Sequence, residues 1–417
     1  MIYEDEVLIL FIRTNFNAPP PPHEDKMAKK KTDEDFLAEI ANDTGGETLE
    51  EAGFVPYWID SGNFAFNFLL SGKFIHGGFP GGRIVEAFGP EASGKSLAGY
   101  CFLGSVQKMG GIAVQLDCER ASSPEFAQRC GHVDPSRLLT YYPVTLEQVE
   151  KKVCLVVKAI RKRYPDCPIG ILWDSIGVNP TNREWNETEL PENPTATQIK
   201  EAGGKERPGE RAKVANGLLR KLNPFLNDHN ATLYVVNQIR KKIGVLYGSD
   251  ETTHGGGEAL KFFSSVRLRM GAPKEFVNKK TKFPLGVNMK IKNKKNRHFN
   301  PGLLIENVPL FFSHGINPLG GLVQALILAD RIEGKSNYVV REPWAGGKEI
   351  KFKASLSNPL DPEVLYRCPA LVDADTEDQV KEYLAEWHDA IAVVDQAEEI
   401  DAGADVSHLL GDDVEQS

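Results

Sequence analysis

The stretch Arg83-Ile84-Val85-Glu86-Ala87-Phe88-Gly89-Pro90-Glu91-Ala92-Ser93-Gly94-Lys95-Ser96 carries a short apolar-rich strand into a complete G-x-x-x-x-G-K-[ST] loop. Residues 97–103, Leu-Ala-Gly-Tyr-Cys-Phe-Leu, can open a helix behind it. Strand, glycine-rich turn and helix start form a cradle for a triphosphate. Glycines let backbone N–H groups wrap the phosphates, and the helix N-terminus adds partial positive charge. Lys95 is placed to reach the β- and γ-phosphates, and Ser96 to offer its hydroxyl to Mg²⁺. Gly89, Pro90, Glu91, Ala92, Ser93, Gly94, Lys95 and Ser96 are therefore the expected nucleotide-binding residues.

Outward from this loop, strand and helix patterns alternate. Residues 111–116, 168–173 and 232–237 read as strands, and 146–164 and 209–227 as amphipathic helices. That alternation predicts an α/β domain, a mostly parallel sheet with helices on both faces. Two long segments interrupt it: a polar Pro/Thr/Glu-rich loop over 180–208 and a glycine-rich loop over 240–258. Long loops inside a domain are usually functional. Residues 1–30, with a Pro19–Pro22 run, are expected not to fold, and Met27-Ala28-Lys29-Lys30-Lys31 reads as an alternative start, so residues 1–26 are an extension. Residues 33–42 have helical spacing, with Phe36, Leu37 and Ile40 on one side. A small terminal domain is expected over 313–389, and a disordered acidic tail over 390–417.

The 417 residues carry a net charge of −9 that is unevenly distributed. Residues 371–417 hold fifteen acids against one lysine, so the rest of the chain is basic on balance. Residues 274–297 hold eight Lys and one Arg against Glu275 alone. A basic body beside an acidic appendage suits a regulated nucleic-acid binder as well as a solvated surface. No apolar run is long enough to span a bilayer. The six scattered cysteines form no C-x-x-C pair, so reduced thiols in a cytoplasmic protein are expected.

A triphosphatase needs a carboxylate on the metal side and a group to orient the attacking water, both at the carboxyl ends of strands beside the loop. Asp174 ends one such strand, and Glu119 follows another. Glu119 is the expected general base; Asp117 competes for that role, although its place within the strand turns it away. Gln238 ends a third strand, where its amide can bond a γ-phosphate and report its presence. Basic, apolar and glycine residues interleave beyond it. Arg240, Lys242, Ile243, Tyr247, Gly255 and Gly256 suit a nucleic-acid backbone and its bases.

Taken together, 83–96, 116–120 (LDCER), 171–175 (ILWDS), 209–222, 237–247 (NQIRKKIGVLY), 251–268 and 315–322 resemble the RecA family of recombinases, including bacteriophage members of the UvsX type. The resemblance covers about residues 55–340, and 237–268 is its most specific part. It implies a RecA-like ATPase core over 55–312, a polymerisation segment over 31–54, and DNA-binding loops at 180–208 and 240–258. By position, Glu119 matches the water-activating glutamate, Asp174 the Walker B acid, Gln238 the γ-phosphate sensor and Phe126 an aromatic stacked on adenine. Lys292 and Lys294 match lysines that reach a neighbouring subunit's ATP; by composition alone they read as solvated. Ser123 departs from the family's aspartate near adenine, the first loop is longer, and one extra residue sits within 255–258.

The implied function is ATP- and Mg²⁺-dependent pairing and strand exchange by a helical homo-oligomeric filament on single-stranded and homologous duplex DNA. Single-stranded-DNA-binding and mediator proteins would be its partners in a bacterial cytoplasm, with the chain encoded by the bacterium or by a phage. A helicase or branch-migration motor shares such a core, but the RadA-like kind usually carries a zinc motif for which no cysteine pair is present. The other rival is a nucleotide-gated DNA-binding ATPase that forms no joint molecules.

Overall fold

The computed structural model describes residues 37, 40–41, 43–47, 53–188, 195, 197–198, 209–241, 252–254, 258–272, 274–278, 280–386 and 400–401. The chain divides into two compact units, Met1–Phe54 and Val55–Ser417. In the first, residues 37, 40–41 and 43–44 are helical, and a turn follows at Gly45. Apart from residues 46–47 and 53–54, the rest of the expected 31–54 segment and all of residues 1–30 lie outside the described residues.

In the second unit the strands are β1 (Trp58–Ile59), β2 (Phe79–Pro80), β3 (Ile84–Gly89), β4 (Ile112–Asp117), β5 (Leu138–Tyr141), β6 (Ile169–Asp174), β7 (Ala231–Lys241), β8 (Thr252–His254) and β9 (Val266–Met270). They continue with β10 (Lys274–Asn278), β11 (Pro284–Asn296), β12 (Leu304–Phe311), β13 (Gly315–Ile316), β14 (Ile332–Gly334), β15 (Asn337–Val340), β16 (Lys351–Lys353) and β17 (Ile400–Asp401). The helices are α1 (Phe64–Ser71), α2 (Lys95–Lys108), α3 (Pro124–Gly131), α4 (Leu146–Arg163), α5 (Asn182–Thr188), α6 (Glu210–Asp228), α7 (Ala259–Phe263), α8 (Leu322–Leu328), α9 (Pro362–Arg367) and α10 (Glu377–Ala385).

The main sheet runs β13-β12-β11-β9-β3-β7-β6-β4-β5. From β9 to β5 every neighbouring pair is parallel, and β11, β12 and β13 extend the β9 edge antiparallel. Alternation along β3 and β7 sorts side chains to two faces. Val85, Ala87, Tyr234 and Val236 join α1 and α2 in one hydrophobic cluster. Ile84, Leu233 and Val235 join α4 and α6 in the other. In α4, Leu146, Val149, Val153, Val156, Val157 and Ile160 form the buried stripe, and Thr145 caps the start by accepting from the Gln148 N–H. Burial of each such side chain is worth about 1.5–3 kcal/mol.

Three expectations change. The 180–208 segment begins as a helix, α5, rather than a loop. Thr181 and Glu184 cap it reciprocally: the Glu184 N–H donates to Thr181 Oγ1 at 3.1 Å and the Thr181 N–H to Glu184 Oε2 at 3.4 Å. β7 continues to Lys241 because β8 pairs with its last residues, Ile239 opposite His254 and Lys241 opposite Thr252. Gly315–Ile316, expected in a terminal domain starting at 313, pair with β12 and close the main sheet. The three-stranded sheet β14-β15-β16 follows, and α10 returns to α1, with Tyr383 stacked on Phe64 at 4.3 Å between ring centres. Within the expected acidic tail, Ile400–Asp401 pair antiparallel with β10; its other residues lie outside the described ones. Among the described residues no helix is long and apolar enough to cross a membrane.

Candidate nucleotide and nucleic-acid site

β3 delivers the phosphate loop, and two glycines allow its path. A Cβ at Gly89 would stand 2.4 Å from the Met270 carbonyl oxygen, and Gly94 sits at φ 88, in the left-handed region. α2 begins at Lys95 with Gly94 as its N-cap and no capping side chain. Its first N–H groups therefore remain for an anion. Ser93 Oγ donates to the Pro90 carbonyl at 2.8 Å. The Lys95 ammonium folds back onto the same carbonyl and onto Ser93 Oγ. Burial pulls the Lys95 amine below its ordinary value, with Asp174, Glu91 and Glu119 pulling the other way.

The acids come from neighbouring strands. β4 and β6 are parallel, with Asp117 opposite Asp174 in the register. Burial pushes the Asp174 carboxyl up to about 6, against a hydrogen bond from Ser96; Glu119 and Asp117 push the same way as burial, and Lys95 opposes them. Ser96 and Asp174, the two residues expected beside Mg²⁺, thus lie close enough for Ser96 to favour the charged carboxylate. Asp117 is buried and accepts the N–H groups of Ala121 at 3.3 Å and Ser122 at 3.2 Å, so its oxygens hold the turn after β4. Glu119 is exposed and accepts from Ser175 Oγ at 2.6 Å. Contrary to the expectation that it turns away, Asp117 shares the sheet face of Asp174, but it is buried and taken up by the turn, whereas Glu119 is open to solvent. Gln238 lies opposite Gly89 in the β3–β7 register, at the mouth of the loop.

Phe126 is half-buried on α3, where Ser123 caps the helix by accepting from the Phe126 N–H at 3.2 Å. The departure at Ser123 therefore has a local role. The Phe126 ring faces Phe312, 6.3 Å away and tilted by 46°. Phe312 escaped the sequence reading; the signal was an aromatic directly after a strand, at a position far away in the chain. β11 crosses the loop at Met289, whose Sδ would stand 2.9 Å from a Cβ at Gly94. Lys292 and Lys294 follow on the same strand, half-buried and exposed.

The second loop is anchored by the β7–β8 hairpin, which holds the Arg240 backbone opposite Thr253. The side chain of Arg240, and Lys242, Ile243, Tyr247, Gly255 and Gly256, lie outside the described residues. The first is anchored at both ends. Thr145 Oγ1 donates to Asn182 Oδ1 at 2.6 Å, Arg183 pairs with Glu210 at 2.7 Å, and Arg211 donates to the Gly177 carbonyl at 2.6 Å. Both loops emerge at the carboxyl pole of the parallel strands, as does the phosphate loop. Such a pole can hold a phosphoanion, order a divalent cation and polarise a water.

Comparison with known proteins gives the arrangement a lineage. The sequence model of the RecA N-terminal domain matches residues 56–160 and 193–317. The chain is 32% identical over 312 residues to Protein RecA of Thermus aquaticus, covering 73% of this chain and 83% of that one. To Protein RecA of Mycoplasma mycoides it is 34% identical over 265 residues, 64% of this chain and 70% of that one. To Protein RecA of Kineococcus radiotolerans it is 35% identical over 250 residues.

Proposed function

The chain belongs to the RecA family, and we propose that it is an ATP-dependent recombinase that assembles as a filament on single-stranded DNA and exchanges strands with homologous duplex. The observation that carries this reading is the convergence of the phosphate loop, Ser96, Asp174, Glu119 and Gln238 at the pole from which both expected DNA loops emerge. The supporting setting is a bacterial or phage-infected cytoplasm.

In this reading the N–H groups at the start of α2 and the Lys95 ammonium hold the triphosphate. Phe126 and Phe312 flank the base. An acid kept protonation-prone by burial and by two neighbouring carboxylates is a fitting donor for a divalent cation, so Asp174 and Ser96 would hold Mg²⁺. When bound, Mg²⁺ offsets the charge that develops on the phosphate oxygens. Glu119 orients a water in line with the γ-phosphorus and takes its proton. Gln238 bonds the γ-phosphate and passes its presence through β7 to the β7–β8 hairpin and the DNA loop beyond it. Lys292 and Lys294 reach the nucleotide of an adjoining copy, with residues 31–54 of one subunit holding the next. Hydrolysis removes the γ-phosphate, and the loops release DNA.

Electron microscopy of the chain with single-stranded DNA and a slowly hydrolysed ATP analogue tests this reading. Helical filaments are expected. Closed rings would favour a helicase, and the absence of either would favour a nucleotide-gated DNA-binding ATPase.

A further inference from the structure

Glu86 stands in the middle of β3, fully buried among apolar neighbours, and the chemistry of the phosphate loop does not use it. It is held from both sides. Asn237 Nδ2 of β7 donates to Glu86 Oε1 at 2.8 Å, and Arg267 Nε of β9 donates to Glu86 Oε2. The Arg267 guanidinium also lies over the Phe88 ring, 4.6 Å from its centre, while its Nη2 is buried without a hydrogen-bond partner. Three adjacent strands are thus pinned by one carboxylate.

Stability alone gives little reason for this arrangement. A buried ion pair generally contributes no more than apolar side chains of the same volume, because desolvation offsets the attraction. The neighbours on this face, Ile84, Leu233 and Val235, show what an apolar row here looks like.

Position gives a better reason. Asn237 immediately precedes Gln238, the residue opposite the start of the phosphate loop. The face that carries Glu86 is covered by α6 and by Ala259 and Leu260 of α7, helices that follow the first and second expected DNA loops. Arg267 is opposite Lys295 in the β9–β11 register. Lys295 Nζ donates to the carbonyls of Lys261 at 2.8 Å and Phe262 at 2.9 Å, closing the carboxyl end of α7. Burial, helped by Arg297 and Arg267 and opposed by Glu86, pulls the Lys295 amine down to about 8. Hydrogen bonds therefore run from the sensor strand through Glu86 to Arg267, and the β9–β11 pairing sets Arg267 beside the lysine that closes the helix behind the second DNA loop.

We propose that Glu86 is a positioning residue which, through Asn237 and Arg267, couples the strand bearing Gln238 to α7, so that nucleotide occupancy sets DNA affinity. This rests on the reading of Gln238 and the loops given under Proposed function. Coupling of this kind is a ratio of affinities and is measurable apart from either affinity alone.

The test uses the full chain and the variants Glu86→Gln, Asn237→Ala and the double variant Glu86→Leu with Arg267→Met. The dissociation constant of a labelled single-stranded oligonucleotide is measured with and without a slowly hydrolysed ATP analogue, and analogue binding is measured separately. Each folded variant should bind the analogue, and the oligonucleotide without analogue, within about threefold of the unaltered chain. The ratio of the two DNA affinities should fall about tenfold. If Glu86→Gln fails to fold, the double variant, which leaves no lone buried charge, carries the test. Unaltered ratios in every variant that folds would overturn the proposal and leave Glu86 as packing. An unaltered chain whose DNA affinity ignores the analogue would instead overturn the functional reading beneath it.

Discussion

Two groups of charged side chains on the same sheet are in opposite condition. At the phosphate loop Asp174, Glu91 and Glu119 act on Lys95, while burial pushes the Asp174 carboxyl up to about 6 and pulls the Lys95 amine down. Deeper in the sheet, Glu86 is met on both oxygens by Asn237 and Arg267. The first group holds more carboxylates than cations, a balance that suits the proposed Mg²⁺. The second is closed on its carboxylate and transmits rather than binds. Charge left uncompensated marks a ligand; charge compensated internally marks architecture or coupling.

The sharpest way to break the comparison is to remove the cation of the first group. Lys95→Ala should abolish ATP hydrolysis and nucleotide-dependent DNA binding, a loss of at least about 10³-fold, because the β- and γ-phosphate charge is left unmet. A steady-state ATPase assay checks it. Glu119→Gln should bind ATP and DNA normally but hydrolyse about 10²–10³-fold more slowly, since an amide cannot accept the proton. Turnover at the parent rate would return the role to Asp117 or another acid.

In the closed group the effect falls on stability. Glu86→Ala strands Arg267 and should cost about 3–5 kcal/mol, while the double variant Glu86→Leu with Arg267→Met should lie near the unaltered chain. Denaturant melts of both compare the two outcomes. The smallest effect is expected at the acidic tail. Ile400–Asp401 pair with β10, whose hairpin with β11 begins the basic 274–297 stretch. Deleting residues 390–417 should strengthen duplex capture a few-fold at low salt, where screening is weakest, and leave ATP affinity unchanged. Superimposable salt titrations would reduce the tail to a solvated appendage or a docking site for a partner protein.

The first group was legible in the sequence because its parts are local: a strand, a glycine turn with fixed spacing, and acids one or two residues past apolar runs. Alternation misjudged Asp117: it lies opposite Asp174 on the same sheet face, and what occupies its oxygens is the turn at Ala121 and Ser122. The second group was hidden. Glu86 reads as one polar residue in an apolar strand, and only the pairing of β3 with β7 and β9 brings its partners to it. Phe312 was hidden likewise, since its partner Phe126 belongs to a distant helix. α5 was legible in principle, as Thr181-Asn182-Arg183-Glu184 is a capping box, but it lacks the apolar stripe by which helices are usually found.

The central claim is that the phosphate-loop pole drives homologous pairing. Purified full-length chain, incubated with Mg²⁺, ATP, a labelled single strand and a homologous duplex, should yield joint molecules that a heterologous duplex and the Lys95→Ala variant do not. An ATPase-active chain that forms no joint molecules with the homologous duplex would contradict the account.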